Sequence, residues 1–192
     1  MKLDPDALCL ESERLILRVS PNSAAAAVAD YFARNQEHHA PTDPPRPAQF
    51  LEAGYWRGRL AANRAECWSG SSLRLFLFRR SEPLVVIGCA NFTGVARGSF
   101  LACRLGYSLD EALVGQGYMS EGLRVAIAFV FGPMGLHRIE ANHLLDNVRS
   151  ARLLQRLGFR VEGEAKSYLF IAGAWRDHVL NSLTNPDCPP PG

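Results

Sequence analysis

The sequence predicts an α/β fold of the α+β kind, with one mixed, mostly antiparallel sheet and helices on both of its faces. Two observations carry this prediction. Segments with alternating apolar residues, typical of strands, are interspersed with segments whose apolar residues recur every three or four positions, typical of helices. Their order is β, α, α, β, β, β, α, β, α, β, β. Antiparallel strands therefore come first, and a single β-α-β unit follows them.

The first third of the chain predicts one strand and two helices. Residues 13–19 are an apolar strand candidate, and residues 20–36 carry apolar side chains at helical spacing. Residues 37–47 contain four prolines, which predicts an irregular loop. Beyond this loop a second amphipathic helix is indicated by apolar residues on one face, namely Phe50, Ala53, Trp56 and Leu60.

The rest of the chain predicts six more strands and two more helices. The strands are expected at 73–80, 84–92, 99–109, 137–144 and on either side of a turn near Gly173. One helix follows residue 117 and closes at 132–135, and the other runs from Asn147 to Gly158. Residues 1–187 are expected to form one domain. Residues 188–192 have too little apolar content to pack, which predicts a disordered tail.

Composition excludes several classes of protein. The net charge of +2 gives no argument for nucleic-acid binding, and no apolar run approaches the roughly 20 residues of a membrane span. The first residues lack the apolar core of a signal peptide, so secretion is not expected. The five cysteines show no C-x-x-C spacing and no neighbouring histidine, so no metal site is predicted. Buried, reduced thiols suit a cytoplasmic protein.

The stretch "LVGQGYMSEG", residues 113–122, is the first candidate for chemistry. Gly115 and Gly117 stand where a strand leads into a helix, and backbone N–H groups exposed there form an anion site beside the positive end of the helix dipole. A plain strand-to-helix turn is the alternative. The ATP-type phosphate loop is absent. The dinucleotide fingerprint is nearly matched, with Ser120 at its third glycine and Glu140 as its acid, but it needs a parallel sheet that this order of elements does not supply.

The stretch "NVRSARLLQRLGF", residues 147–159, is the second candidate. Asn147 is placed to cap a helix, and Ser150 lies three residues further on. The apolar side of this helix is formed by Leu153, Leu154 and Leu157. Its polar side carries Arg149, Arg152 and Arg156. Taken alone, the stretch predicts a capped amphipathic helix with a solvated basic face.

Together, the two stretches resemble the GNAT superfamily of N-acetyltransferases. That family's phosphate loop reads [RQ]-x-x-G-x-[GA], which we match to residues 114–119, with departures at Val114 and Met119. The strings "NFTGVARGSF", "LGYSL", "HRIEAN", "LLQRLGF", "GAWRDHVL" and "LTNPD" narrow the resemblance. They look like the Rim-type ribosomal-protein-alanine N-acetyltransferases, over residues 10–187.

The resemblance implies a GNAT fold that binds acetyl-CoA as co-substrate, with no metal. The co-substrate would lie where the parallel strands 101–109 and 137–143 splay apart. Backbone groups of Tyr107, Ser108 and Leu109 would pair with the pantetheine arm, and Asn147 would hold the arm from the far side. N–H groups would bind the pyrophosphate at six consecutive residues: Gly115, Gln116, Gly117, Tyr118, Met119 and Ser120. Arg149 and Arg152 are either solvated or contacts for the 3′-phosphate.

The resemblance also implies direct attack of an amine on the thioester. An α-amino group has a pKa of about 7.7–8.0 and is partly neutral near pH 7.5, so a strong base is not needed. A strand N–H near Gly106 or Tyr107 would stabilise the oxyanion. Ser150 matches the family's acid, with helix capping as its alternative role. Glu140 is either a base or, as we favour, a structural or water-ordering residue.

The implied function is acetylation of the N-terminal alanine of a ribosomal protein, with small-subunit protein S5 as the expected acceptor. Two alternatives stay open: acetylation of a small amine such as an antibiotic or a polyamine, and a non-catalytic CoA-binding module on the ribosome. Neither nucleic acid nor a membrane is required, and the protein is expected to be a cytoplasmic monomer or homodimer. His38 and His39, in the proline-rich loop, face either the acceptor or solvent. Trp175 is expected to pack within the last hairpin.

Overall fold

The computed structural model describes residues 2–189 and contains a single eight-stranded sheet. The strands are β1 (Cys9–Glu11), β2 (Leu15–Arg18), β3 (Leu73–Arg79), β4 (Glu82–Ala96), β5 (Ala102–Leu109), β6 (Arg138–Leu144), β7 (Arg160–Ile171) and β8 (Ala174–Thr184). Their order across the sheet is β1-β2-β3-β4-β5-β6-β8-β7. In the described part of the chain only β5 and β6 pair in parallel, and every other neighbouring pair is antiparallel. The predicted mixed, mostly antiparallel sheet is confirmed.

Helices cover both faces of the sheet, as predicted. They are α1 (Ala25–Arg34), α2 (Gln36–His39), α3 (Ala53–Ser69), α4 (Tyr118–Phe131) and α5 (Val148–Arg156). Alternate side chains of β3 point to opposite faces. Phe76 and Phe78 are buried in the cluster that includes α1 and α3, whereas Leu75 and Leu77 are buried in the cluster that includes α4 and α5.

Two local features differ from the predicted elements. Strand β1 has only three residues, too few to show a period, and it was not predicted. The proline-rich segment 37–47, predicted as irregular throughout, begins inside the one-turn helix α2. That turn lies before the first of the four prolines, so the prolines do not interrupt it.

The parallel strands β5 and β6 separate after a short paired stretch. Their register joins Ala102 to Arg138 and Arg104 to Glu140, and the pairing ends there. Beyond that point β5 stays paired with β4 as far as Leu109, and β6 stays paired with β8 as far as Leu144. A V-shaped gap therefore opens in the middle of the sheet.

The predicted buried thiols are found at three of the five cysteines, whereas Cys9 is exposed and Cys188 is half-buried. All five are free, and Cys67, Cys89 and Cys103 are buried. Burial raises the pKa of Cys67 to about 11 and that of Cys103 to about 12, so these thiols stay protonated at neutral pH. They act as small apolar side chains.

The last strand ends at Thr184, and residues 185–189 follow it as a turn and coil. Of the predicted tail 188–192, residues 190–192 lie outside the described part, so its disorder stays a prediction, as does the boundary of the domain at 187. Among the helices of residues 2–189, none is long and apolar enough to cross a membrane.

Candidate active site

The gap between β5 and β6 opens into a cleft of about 2290 Å³. This exceeds the roughly 300–1,000 Å³ typical of a small-molecule pocket, which leaves room for two reactants. The structure brings all but two of the predicted site residues to the cleft wall, the exceptions being Gln116 and Tyr118. Those on the wall are Tyr107, Ser108, Leu109, Gly115, Gly117, Met119, Ser120, Asn147 and Ser150.

Strand β5 presents a free backbone edge to the cleft. Its pairing with β6 stops at Arg104, so the backbone groups of residues 105–109 that point toward β6 have no strand partner. Such groups accept an extended ligand as an added strand. On the α1 side, the Ser108 hydroxyl lies 2.9 Å from the Tyr31 hydroxyl and 3.2 Å from the Cys89 sulfur. These contacts fix β5 from one face while its edge stays open.

The turn before α4 forms a cradle of backbone N–H groups. Gly115 and Gly117 both have φ of +84°, the left-handed region that glycine adopts without strain. In this turn and the first turn of α4, five backbone N–H groups have no hydrogen-bond acceptor within residues 2–189. They belong to Gly115, Gly117, Tyr118, Met119 and Ser120. A Cβ added at Gly115 would meet no atom within 4 Å, so it would project into the open cradle. The arrangement suits a phosphate group.

The match of the family's phosphate-loop pattern to residues 114–119 stays a prediction. It assigns the pattern's glycine to Gly117, whose φ of +84° suits that residue. Met119, one of the two departures, lies in α4 with its side chain buried in the core. This departure therefore leaves the backbone N–H groups of the cradle exposed.

Arg14, in the β1–β2 connection, supports this cradle. No sequence pattern pointed to this residue, because it lies about 100 positions before the cradle. Its Nε donates to Glu121 at 2.6 Å and its Nη1 donates to the Gln116 carbonyl at 3.2 Å. Its guanidinium also lies 4.2 Å from the centre of the Tyr118 ring. Burial acts to raise the pKa of Glu121, but hydrogen bonds from Arg14 and Ser12 outweigh it and hold that pKa below its usual value. The carboxylate is therefore charged at neutral pH.

The start of α5 places one hydroxyl group in the cleft. Asn147 caps the helix, as predicted, by accepting a 3.0 Å bond from the Ser150 backbone N–H. The Ser150 hydroxyl takes no part in capping and lies 2.5 Å from the Tyr107 hydroxyl. Burial raises the pKa of Tyr107, so its hydroxyl is protonated at neutral pH. The Tyr107 side chain is a site group that sequence reasoning missed, since the resemblance assigned only its backbone.

Four arginines give the α4–α5 side of the cleft a positive charge. Arg124 lies on α4, and the other three are Arg149, Arg152 and Arg156 on α5. In the described part of the chain no carboxylate lies within 4 Å of any of the four. The cations are free to meet an anionic ligand.

The candidate bases are already engaged. Glu140 is ion-paired, at 3.1 Å from Arg138 and 3.7 Å from Arg104. His38 lies 3.7 Å from Glu111. The buried His39 ring places Nε2 at 3.1 Å from the Leu109 carbonyl, and burial lowers its pKa. Each of these three candidates therefore has a polar partner within residues 2–189.

Trp175 packs within the last hairpin, as expected, since its ring contacts that of Phe170 edge-on. Its side chain is nevertheless 64% exposed and also lines the cleft, which the sequence did not predict. Among residues 2–189 no group of three or more His, Cys, Asp or Glu side chains is placed to hold a metal ion.

Comparison with known proteins relates this architecture to enzymes of one family. Residues 14–160 match the family model described as an acetyltransferase (GNAT) domain. The chain is 42% identical over 181 residues to the [ribosomal protein uS5]-alanine N-acetyltransferase of Escherichia coli, covering 94% of this chain and 93% of that protein.

Solved structures agree with the sequence comparison. The ribosomal-protein-S5-alanine acetyltransferase of Vibrio fischeri superposes with a TM-score of 0.91 at 36% identity, covering 95% of this chain and all of that one. The RimJ protein of Mycobacterium smegmatis, in complex with CoA-disulfide, superposes with a TM-score of 0.84 at 29% identity, covering 91% of this chain and 84% of that one. The chain belongs to the GNAT family of acetyltransferases, as the sequence resemblance predicts.

Proposed function

We propose that the protein transfers the acetyl group of acetyl-CoA to the α-amino group of the N-terminal alanine of ribosomal protein S5. One observation carries the proposal: the free edge of β5 ends beside the N–H cradle at Gly115 and Gly117. A thioester arm and its pyrophosphate need these two features side by side. The acceptor follows from the relatives of Escherichia coli and Vibrio fischeri, whose names specify it.

The residues present fit acetyl-CoA along its length. Backbone groups of Tyr107, Ser108 and Leu109 would pair with the pantetheine amides. The unpaired N–H groups of Gly115 and of residues 117–120 would bind the pyrophosphate. The Gln116 N–H is bonded to the Leu113 carbonyl, and Gln116 would contribute through the Arg14 contact that fixes its peptide. The side-chain amide N–H groups of Asn147 have no hydrogen-bond acceptor within residues 2–189, so they are available to donate to the pantetheine arm. The unpaired arginines of α5 would meet the 3′-phosphate.

The acceptor amine needs little activation. An α-amino group with a pKa of about 7.7–8.0 is roughly one-third neutral near pH 7.5, so its lone pair is available without a strong base. The proton it loses after attack passes to water in the open cleft. This account agrees with the ion-paired state of Glu140, for which we propose a structural role.

The transfer step forms the C–N bond and breaks the C–S bond through a tetrahedral intermediate. The N–H of Gly106 or Tyr107 on the free edge of β5 would donate to its oxyanion. The departing thiolate has the basicity of a free thiol, with a pKa of about 8.5, so a single hydrogen-bond donor is sufficient. We assign this role to the Ser150 hydroxyl, with the Tyr107 hydroxyl as the partner that orients it.

An acceptor on a ribosomal protein implies a cytoplasmic enzyme, acting as a monomer or homodimer without nucleic acid or a membrane.

CoA release tests the function directly. Release with an alanine-initiated S5 peptide, and none with the same peptide blocked at its α-amino group, is expected. Faster turnover of a polyamine or an aminoglycoside would favour a small-amine acetyltransferase, and tight acetyl-CoA binding without turnover would favour a non-catalytic module.

A further inference from the structure

A second cavity, of about 450 Å³, lies beside the cleft. One wall comes from α1 and the segment that leads to α3, and the opposite wall comes from the tip of the β7–β8 hairpin. Its apolar lining includes Phe32, Phe50 and Leu51 on the first wall, and Phe170 and Ala172 on the second. At about 30 Å³ per water, the cavity holds the volume of roughly fifteen waters, enough for one or two amino-acid side chains.

The first wall is rigid and carries no free charge. Trp56 donates its indole N–H to the Phe50 carbonyl at 2.7 Å and stacks on Phe32, with ring centres 4.8 Å apart. The Arg46 guanidinium lies 3.8 Å from the centre of the Phe50 ring and is bonded to Asp43. The Arg46 guanidinium thus already covers the Phe50 ring, and the Asp43 carboxylate is already paired with Arg46. An uncharged guest suits such a cavity.

The cavity shares part of its wall with the cleft. His39, Asp43, Arg46 and Phe50 line both spaces, as do Phe32 and Phe170. The register places Asn142 opposite Leu180, and Phe170 opposite Trp175. The hairpin wall therefore lies about five residues, or roughly 17 Å, along the sheet from the gap. An extended acceptor whose first residue reaches the gap would pass the cavity within its first few residues.

We propose that this cavity binds an apolar side chain of the acceptor polypeptide, close behind its N-terminal alanine, and so sets acceptor specificity. The inference rests on the proposed N-terminal acetylation and adds a second recognised position to it. Phe170 on the hairpin and Leu51 on the opposite rim hold this side chain from two directions. Both are partly exposed, at 40% and 37%, so a guest would cover them.

A peptide scan tests the proposal. In alanine-initiated peptides, positions 2 to 6 are varied one at a time among Ala, Leu, Asp and Lys, and kcat/KM is measured for each. One position is expected to favour Leu over Ala by about tenfold. Phe170→Ala should reduce that ratio to about twofold. Phe100→Ala, the same change at an exposed phenylalanine that lines neither space, should leave it unchanged.

The introduction of a negative charge is the second part of the test. Leu51→Asp places a carboxylate at the rim and should shift the preference at that position from Leu to Lys. A flat profile at all five positions, or equal effects of Phe170→Ala and Phe100→Ala, would overturn the cavity proposal while peptide acetylation itself still stood. Absence of acetylation for every peptide would instead overturn the proposed function, and the specificity inference with it.

Discussion

Replacement of Ser150 by alanine separates catalysis from folding at this site. The helix cap uses the Ser150 backbone N–H, which alanine retains, so α5 keeps its N-terminal bond to Asn147. The lost group is the hydroxyl, whose partner within the described chain is Tyr107. Losing that neutral hydrogen bond should lower the free energy of unfolding by about 1 kcal/mol.

The effect on turnover should be larger. A hydrogen bond to a developing thiolate is charge-assisted and contributes about 2 kcal/mol, so Ser150→Ala should lower kcat about 30-fold. Tyr107→Phe removes only the orienting partner. With cooperative strengthening of about 10–30% of that 2 kcal/mol, it should lower kcat only about 1.4- to 2.8-fold.

Steady-state assays of CoA release at saturating acceptor give kcat and the KM for acetyl-CoA of both variants. The KM is expected to stay within twofold of the parent value, because Ser150 contacts the reacting atoms and not the phosphates. A kcat within twofold of the parent for Ser150→Ala would refute its role as acid. A larger loss for Tyr107→Phe than for Ser150→Ala would assign the donor to Tyr107.

Three further changes test the cradle and the loops around it. Gly117→Val puts a β-branched residue at φ +84°, with its Cβ about 3.4 Å from Arg14. Calorimetry should therefore show at least tenfold weaker CoA binding. Unchanged affinity would place the phosphates elsewhere. Arg14→Ala should raise the KM for acetyl-CoA several-fold with little change in kcat, whereas Arg80→Ala, an exposed arginine of the same region, should change neither. Hydrogen bonds hold the pKa of Glu121 below its usual value, so its contribution to stability is present above about pH 4.5 and is lost as pH falls through the folded-state pKa. Glu121→Gln should therefore lower the free energy of unfolding at pH 7, and in acid the variant should become as stable as the parent. A difference in urea unfolding that does not change with pH would contradict this.

Sequence reasoning predicted most of the fold because its elements carry strong local signals. The apolar spacing of α4 and α5, and the alternation in β3 and β6, are visible in single segments of the chain. Strand β1 was missed because three residues show no period, and its place in the sheet depends on pairing with β2.

The site was predictable where backbone conformation determines it and less so where distant residues meet. Gly115 and Gly117 are recognisable because few other residues adopt their φ values. The contact of Arg14 with Gln116 spans 102 positions and that of Tyr107 with Ser150 spans 43, so neither leaves a local signal. The exposure of Trp175 likewise depends on how far the β7–β8 hairpin extends beyond β6. These features arise from tertiary packing, which one sequence does not encode locally.

Acetyl transfer to the N-terminal peptide of S5, with the modified atom located by mass spectrometry, tests the central claim most directly. The account predicts one acetyl group on the α-nitrogen of the first alanine and none on lysine side chains of the same peptide, since their pKa of about 10.4 keeps them protonated in the cleft. Acetylation of lysine in preference to the α-amino group, or no acetylation by protein that binds acetyl-CoA tightly, would contradict it.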